Sequence, residues 1–205
     1  MTSKTYNTLF DREGYLVVKT AYEKVEELVE PIPEKRLRQL YTTSGEILWA
    51  EEPQVPGSAS RYNYPDYRKV HSYFRRMLEQ NFGKKLYPTY YYDRFYFPGQ
   101  ELTPHTDRGS CEISVSLNIG TNLKGNKAKW PFWIEMPSGE KRSIICEPGD
   151  AIIYKGCECL HWREPMPRPT FNFRNKEIYY HQAFFHYVLQ DGDNAHHAWD
   201  ATPDY

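Results

Sequence analysis

His105 and Asp107 stand two residues apart at the end of the stretch YFPGQELTPHTD, which begins at Tyr96. Residues two apart on an extended backbone project from the same face of a strand, so their side chains converge on one point. His161 is the natural third partner, because it ends an apolar run that follows a Pro-Gly-Asp turn. Two imidazoles and one carboxylate can hold Fe(II) on one face and leave the opposite positions open for substrate and oxygen. The spacing makes His105, Asp107 and His161 the candidate ligands of a catalytic metal centre. It also fits an exposed loop pair at His105 and Asp107 and a core histidine at His161, and the surrounding pattern favours the metal centre.

Short strands separated by turn signals surround these three residues. Alternating apolar residues and the Pro-Gly and Pro-Ser-Gly turns define their limits. The predicted strands are Tyr87–Phe97, Cys111–Ile119, Trp130–Met136, Ser143–Cys146, Ala151–Tyr154 and Glu177–Leu189. Strands of this length and spacing predict a mainly β (α+β) jelly-roll with the metal at its mouth.

The first part of the chain has a different pattern. The apolar stripe of Tyr67–Phe82 predicts an amphipathic helix, and Thr20–Glu30 is also helical in its spacing. Residues 4–18 are expected to supply a strand that ends in Tyr15–Val18, and Glu34–Tyr41 a short helix. Residues 51–64 are rich in Pro, Gly and Ser, which predicts a long surface loop.

Length and charge place limits on the class of protein. A chain of 205 residues predicts a single domain, residues 1–205, and its net charge of −1 does not favour a nucleic-acid partner, although Arg61, Arg68, Lys69, Arg75 and Arg76 leave a local basic patch open. We divide it into a helical and loop part (1–85), a jelly-roll core (86–190) and a C-terminal tail (191–205). No apolar stretch is long enough to span a membrane, and the N-terminus lacks the hydrophobic region of a signal peptide. We therefore expect a cytoplasmic protein whose four cysteines are thiols.

The order of motifs resembles a known superfamily. The segments PGQ, HTDR, CEISVSLN, PGDA and HWREP follow one another from about Tyr90 to the C-terminus, as they do in the Fe(II)- and 2-oxoglutarate-dependent dioxygenases. Within these, the chain is most similar to small prolyl-4-hydroxylase-like proteins of phage and bacteria. The resemblance implies a double-stranded β-helix (jelly-roll) core with N-terminal helices packed on it. It also implies Fe(II), 2-oxoglutarate as cosubstrate, and O2.

The far carboxylate of 2-oxoglutarate needs a buried cation, and a guanidinium suits it best. The family usually places this cation at the start of the strand after the distal histidine, but this chain has Phe171 in that region. Arg163 is the first choice, because it leaves its strand on the same face as His161. The alternatives are Arg168, Arg174 and Lys176.

Three further residues are candidate contacts. Tyr96 lies on the strand before His105, where family members often place a tyrosine that hydrogen-bonds the cosubstrate. Asn118 shares a strand face with Ser116 and is expected to line the cofactor pocket. Arg108 follows the ligand set directly and is the candidate substrate-binding residue.

The leading hypothesis is a hydroxylase that uses O2 to oxidise a C–H bond and releases succinate and CO2. Asp107 fills the position that a halogenating relative leaves for chloride, so hydroxylation is the expected reaction. The expected substrate is a small molecule or a peptide, and the resemblance favours an amino acid or a peptidyl residue of prolyl type. We expect the protein to be a monomer or a weak homodimer. The alternatives are a cupin-like metal- or ligand-binding protein without oxygenase activity, and a metal-dependent hydrolase or isomerase.

Overall fold

The structure is a computed structural model that describes residues 3–29, 50–125, 129–168 and 177–200. Its α-helices are α1 (Ser3–Glu13) and α2 (Arg68–Phe82), with short 3-10 helices at Val25–Leu28, Pro65–Tyr67, Gly109–Cys111 and Ala195–His197. Its strands are β1 (Tyr15–Val18), β2 (Ala50–Glu52), β3 (Val55–Tyr62), β4 (Leu86–Tyr96), β5 (Leu102–His105), β6 (Ile113–Thr121), β7 (Phe132–Glu135), β8 (Lys141–Ile144), β9 (Ala151–Tyr154), β10 (His161–Arg163) and β11 (Tyr180–Leu189).

Two antiparallel sheets form the jelly-roll. The larger has the order β1-β9-β6-β11-β4-β3-β2, and the smaller has the order β5-β10-β7-β8. Side chains from both sheets meet between them, as Phe132 of β7 does with Tyr154 of β9 at 5.3 Å between ring centroids. The predicted jelly-roll core is thus confirmed, and the space between its sheets holds the candidate site.

Helices α1 and α2 cover the outer face of the larger sheet. Phe74 and Leu78 of α2 are fully buried, and the Phe74 ring contacts that of Phe185 on β11 at 5.4 Å. The rings of Phe10 on α1 and Phe82 on α2 lie 4.9 Å apart. The apolar stripe predicted for α2 is therefore core, and the expected packing of N-terminal helices on the sheet is confirmed. Among the described residues, neither helix has the length and apolar composition that crossing a membrane requires.

The prediction of a helix over Thr20–Glu30 is wrong. Only the four residues from Val25 to Leu28 form a 3-10 helix. Thr20 has a φ of 48°, and its backbone N–H donates to Asp150 Oδ1 at 3.0 Å. The Tyr22 N–H donates to the Gly149 carbonyl at 3.1 Å. These contacts with the turn before β9 hold the backbone out of helical geometry, although the apolar spacing is helical.

The prediction of a surface loop over residues 51–64 is also wrong. Strands β2 and β3 form a hairpin there, and β3 continues the larger sheet by pairing with β4, with Ser60 opposite Arg94. Ser58 and Ser60 are fully buried, so small polar residues that suggest a loop pack inside the sheet instead. The prediction of a strand over residues 4–18 is wrong except at its end, because Ser3–Glu13 form helix α1 and only Tyr15–Val18 form a strand. The short helix expected over Glu34–Tyr41 lies outside the described residues.

Candidate metal centre

His105 and His161 face each other on neighbouring strands of the smaller sheet. They are register partners at the end of β5 and the start of β10. The Nε2 atom of each lies 3.6 Å from Oδ1 of Asp107. Each of the three side chains offers one ligand atom, a ring nitrogen or a carboxylate oxygen, and these three atoms lie within 4.8 Å of one another. The structure therefore brings the three predicted ligands onto one point.

Both imidazoles are oriented by backbone carbonyls. The His105 Nδ1–H donates to the Thr103 carbonyl at 2.8 Å, and the His161 Nδ1–H donates to the Cys159 carbonyl at 2.9 Å. A carbonyl only accepts, so the proton of each neutral ring is on Nδ1 and the lone pair is on Nε2. This is the arrangement that metal-binding histidines usually have.

The carboxylate of Asp107 is held in place by the larger sheet. Ser114 on β6 donates to its Oδ2 at 3.2 Å, and His186 on β11 lies 2.9 Å from the Ser114 hydroxyl through Nδ1. Burial lowers the pKa of His186 to about 4, so its neutral ring can donate from Nδ1 to Ser114 Oγ. Oδ1 of Asp107 is left to point toward the two imidazoles.

The backbone beside Asp107 is fixed by a glycine. The Asp107 N–H donates to the Gly156 carbonyl at 2.8 Å. A Cβ at Gly156 would lie 2.5 Å from Oδ2 of Asp107 and 2.3 Å from the Cys111 carbonyl. Only glycine permits this close approach, and the site depends on it.

The charges of the site favour an ionised carboxylate. Burial by itself would raise the pKa of Asp107, but the interaction with the neighbouring His105 and His161 outweighs it and holds this pKa well below its usual range. For His105, burial lowers the pKa, while Asp107 and the Thr103 carbonyl raise it and produce a net increase. The site therefore combines the negative carboxylate of Asp107 with the imidazoles of His105 and His161. These three side chains are a suitable donor set for a divalent cation.

We expect Ser114→Ala to weaken metal binding by about 10- to 100-fold, the usual effect of removing a group that orients a ligand. The substitution removes the only described donor from a side chain to Oδ2 of Asp107 but keeps all three predicted ligands. Calorimetric titration with Co(II) measures the affinity. Ser138→Ala, in the turn between β7 and β8, is the matched control, and equal affinities of the two variants would contradict this role.

Arg163 lies deep between the sheets. It is 2% exposed, and its NH1 donates to the Trp130 carbonyl at 2.7 Å. Its guanidinium carbon lies 4.5 Å from the ring centroid of Trp130 and 5.0 Å from that of Tyr180. The Nε of Arg163 has no hydrogen-bond partner among the described residues. A buried cation with an unused donor is suited to binding a carboxylate.

Tyr96 and Asn118 both lie inside the barrel, as their strand positions predict. The Tyr96 hydroxyl accepts a hydrogen bond from Arg94 NH1 at 3.0 Å. The Asn118 amide donates to the Cys146 carbonyl at 2.7 Å, and its Oδ1 has no partner among the described residues. Both residues are buried, so their predicted role depends on a ligand that reaches the interior.

Sequence reasoning missed Arg94 and Gln54. Arg94 is fully buried on β4 and donates to Ser60 Oγ at 3.2 Å. Gln54, in the turn of the β2–β3 hairpin, accepts from Arg94 NH2 at 3.1 Å and lies 2.9 Å from His105 Nε2. The period of two on β4 could have identified Arg94, because it shares a face with Tyr96. Gln54 was missed because residues 51–64 were predicted to form a surface loop and not the β2–β3 hairpin.

The remaining predicted cations lie nearer the surface. Arg108 is 55% exposed, forms an ion pair with Asp200 and lies 4.8 Å from the ring centroid of Tyr90. Arg168 is exposed, and its guanidinium lies close to Gly99. Neither is inside the barrel with Arg163. Arg174 and Lys176 lie outside the described residues.

No protein-family model matches the sequence, and no curated protein matches it significantly. Solved structures do share its fold. An oxidoreductase of the 2OG-Fe(II) oxygenase family from Burkholderia pseudomallei matches with a TM-score of 0.63 and 12% identity, over 98% of this chain and 95% of that chain. HygX from Streptomyces hygroscopicus, solved with nickel and 2-oxoglutarate bound, has a TM-score of 0.62 and 11% identity, over 98% and 96% of the two chains.

A prolyl-4-hydroxylase from Pseudomonas putida has a TM-score of 0.57 and 14% identity, over 91% of this chain and 98% of that chain. At these identities the likeness concerns the fold, and it extends over nearly the whole length of each protein. The chain therefore has the jelly-roll fold of the 2-oxoglutarate- and Fe(II)-dependent oxygenases.

Proposed function

We propose that this protein is an Fe(II)- and 2-oxoglutarate-dependent hydroxylase. The observation that carries the proposal is the convergence of His105, Asp107 and His161 with each Nε2 atom 3.6 Å from Asp107 Oδ1. The jelly-roll fold shared with 2-oxoglutarate oxygenases supports the same conclusion. A cupin-like binding protein and a metal-dependent hydrolase are less favoured, because neither explains a buried arginine beside the triad.

The donor set fits Fe(II). Two imidazole lone pairs and one carboxylate oxygen face one point, and the Nδ1 and Oδ2 atoms are occupied by Thr103, Cys159 and Ser114. Three protein donors on one side leave three positions for exogenous ligands in an octahedral complex. When bound, Fe(II) with 2-oxoglutarate and O2 supplies an oxidant for C–H hydroxylation, with succinate and CO2 as the coproducts.

We assign the far carboxylate of 2-oxoglutarate to Arg163. It lies two residues beyond His161 on β10, and its Nε is a buried donor without a partner among the described residues. Trp130 and Tyr180 exclude water around the guanidinium, which strengthens a charge-assisted hydrogen bond. Tyr96 and Asn118 complete the proposed cosubstrate pocket, and Arg94 is the competing anchor on the opposite sheet.

Arg108 directly follows Asp107 and is the proposed substrate contact. Its side chain is half exposed, and we propose that it orients an anionic or carbonyl-bearing group in exchange for its ion pair with Asp200. The likeness to a prolyl-4-hydroxylase favours an amino acid or peptidyl residue of prolyl type. We further propose that the protein acts in the cytoplasm as a monomer or weak homodimer.

Anaerobic addition of Fe(II) and 2-oxoglutarate to metal-free protein tests this function. We expect a weak visible charge-transfer band from the chelated cosubstrate, and we expect the band to be absent in His161→Ala. Metal binding without a band in the wild type would overturn the hydroxylase proposal and favour a cupin-like protein. With the band established, succinate release in the presence of candidate amino acids and peptides identifies the substrate.

A further inference from the structure

Gln54 lies in the turn between β2 and β3, over the candidate metal centre. Strand residues Glu52 and Val55 are register partners, so Pro53 and Gln54 form the tip of the hairpin. Gln54 is exposed, yet its side-chain amide contacts two groups of the site. Nε2 lies 2.9 Å from His105 Nε2, and Oε1 lies 3.1 Å from Arg94 NH2.

The hydrogen-bond pattern assigns a direction to both contacts. Because His105 Nδ1 donates to the Thr103 carbonyl, Nε2 of the neutral ring carries the lone pair. The Gln54 amide nitrogen must therefore be the donor to His105. The guanidinium of Arg94 can only donate, so it must face the amide oxygen, as the structure has it. The two contacts agree on one orientation of the amide.

The lone pair of His105 Nε2 is also the one that a metal ion would use. The Nε2 atom of His105 lies 3.6 Å from Asp107 Oδ1, on the side where the three predicted ligands converge. This single lone pair cannot accept a hydrogen bond from Gln54 and coordinate a metal ion at the same time, so the two interactions compete.

Gln54 is the partner that is free to move. Arg94 is fully buried and is held by Ser60 Oγ at 3.2 Å and the Tyr96 hydroxyl at 3.0 Å. His105 is fixed by its bond to Thr103. Gln54 is attached to an exposed two-residue turn, so turning its side chain away disturbs no buried packing.

We propose that Gln54 is an internal competitor for the metal centre, so that loading of the metal requires the Gln54 side chain to leave His105. This inference rests on the proposed function, because it takes His105 as a metal ligand. The Gln54 side chain then has two positions: one in which it is bonded to His105, and one in which it has turned away and the metal takes its place. Binding of the metal and the position of Gln54 at the tip of the hairpin are thereby coupled.

Gln54→Met tests the competition, because methionine has a similar length but cannot donate to His105. We expect the variant to bind Co(II) about two- to tenfold more tightly than the wild type, which corresponds to one net hydrogen bond. Calorimetric titration without 2-oxoglutarate measures the affinity. Gln100→Met is the matched control, since Gln100 donates to the Pro56 carbonyl of the same hairpin but does not contact His105.

Amide hydrogen exchange over residues 50–62 gives a second readout that does not depend on affinity. In the wild type, we expect Co(II) to speed exchange at the hairpin tip; in Gln54→Met, the exchange should be fast already and unaffected by Co(II). Unchanged Co(II) affinity in Gln54→Met would overturn the inference, and weaker binding would show instead that Gln54 is a ligand. If the wild type bound no metal, the metal centre itself would be wrong, and this inference would fail with it.

Discussion

Asp107→Ala is expected to abolish turnover of 2-oxoglutarate while the protein remains folded. Asp107 supplies the carboxylate of the donor set, and both imidazoles point their Nε2 atoms at its Oδ1. Without this anionic ligand, two neutral imidazoles hold Fe(II) weakly, and the loss should exceed the 10- to 100-fold effect that removal of an orienting group has. Iron affinity and succinate release in matched preparations measure both consequences.

The matched control for Asp107→Ala is His196→Ala. His196 is exposed in the C-terminal segment, its Nδ1 lies 2.9 Å from the Asp193 carbonyl, and it is not part of the cluster of His105, Asp107 and His161. We expect wild-type metal binding in this variant. Circular dichroism and thermal unfolding should show that Asp107→Ala keeps the fold, because the jelly-roll core does not depend on this carboxylate. Activity that survives in a folded Asp107→Ala protein would contradict the proposed triad.

Arg163→Met is expected to weaken 2-oxoglutarate binding by about 10- to 100-fold, the effect of losing a hydrogen-bonded charge partner in a buried site. Methionine fills the space beside Trp130 and Tyr180 without a charge. Metal affinity should change little, because Arg163 is not among the predicted ligands. Titration of the charge-transfer band with 2-oxoglutarate, at saturating Fe(II) and without oxygen, measures the effect.

Two further variants distinguish the candidate anchors. Arg168→Met removes an exposed guanidinium and should bind 2-oxoglutarate as the wild type does. Arg94→Met removes the buried guanidinium of β4, which contacts Tyr96 and Gln54. If Arg94→Met lost the cosubstrate and a stably folded Arg163→Met retained it, the anchor would be Arg94, and our assignment would be wrong. Partial recovery in Arg163→Lys would show that the charge matters at this position.

The interior of the jelly-roll combines charge with aromatic packing. Arg94 and Arg163 approach from opposite sheets, and each lies among aromatic rings, including Tyr92 at 5.3 Å for Arg94 and Trp130 at 4.5 Å for Arg163. Such surroundings keep a guanidinium dry and oriented, which strengthens its attraction for an anion that enters. A site with two buried arginines is therefore suited to a ligand with carboxylate groups.

Local pattern was sufficient for the parts of the fold that depend on the period of side chains. Alternation over Tyr87–Phe97 and Glu177–Leu189 predicted β4 and β11, and the apolar stripe of Tyr67–Phe82 predicted α2. The prediction that the side chains of His105 and Asp107 lie on the same face followed from the two-residue period of a strand. These features depend only on neighbours along the chain, so they could be predicted from the order of residues.

The errors lie where contacts between distant segments decide the backbone. Thr20 is held by Asp150, 130 residues away, and this prevents the helix that the local spacing favours. β3 is a strand because β4 offers it an edge for pairing, although its composition is that of a loop. Propensity is a weak preference, and such tertiary contacts override it.

Residue type, strand period and the resemblance to the oxygenase superfamily were enough to predict the jelly-roll and to name His105, Asp107 and His161 as candidate ligands. The groups that surround these ligands became visible in the folded protein alone. The tertiary structure placed Ser114 and His186 behind Asp107 and brought Gln54 to His105 across 51 residues of sequence. Hydrogen bonds between side chains on different strands depend on sheet register and turn position, which no local pattern specifies.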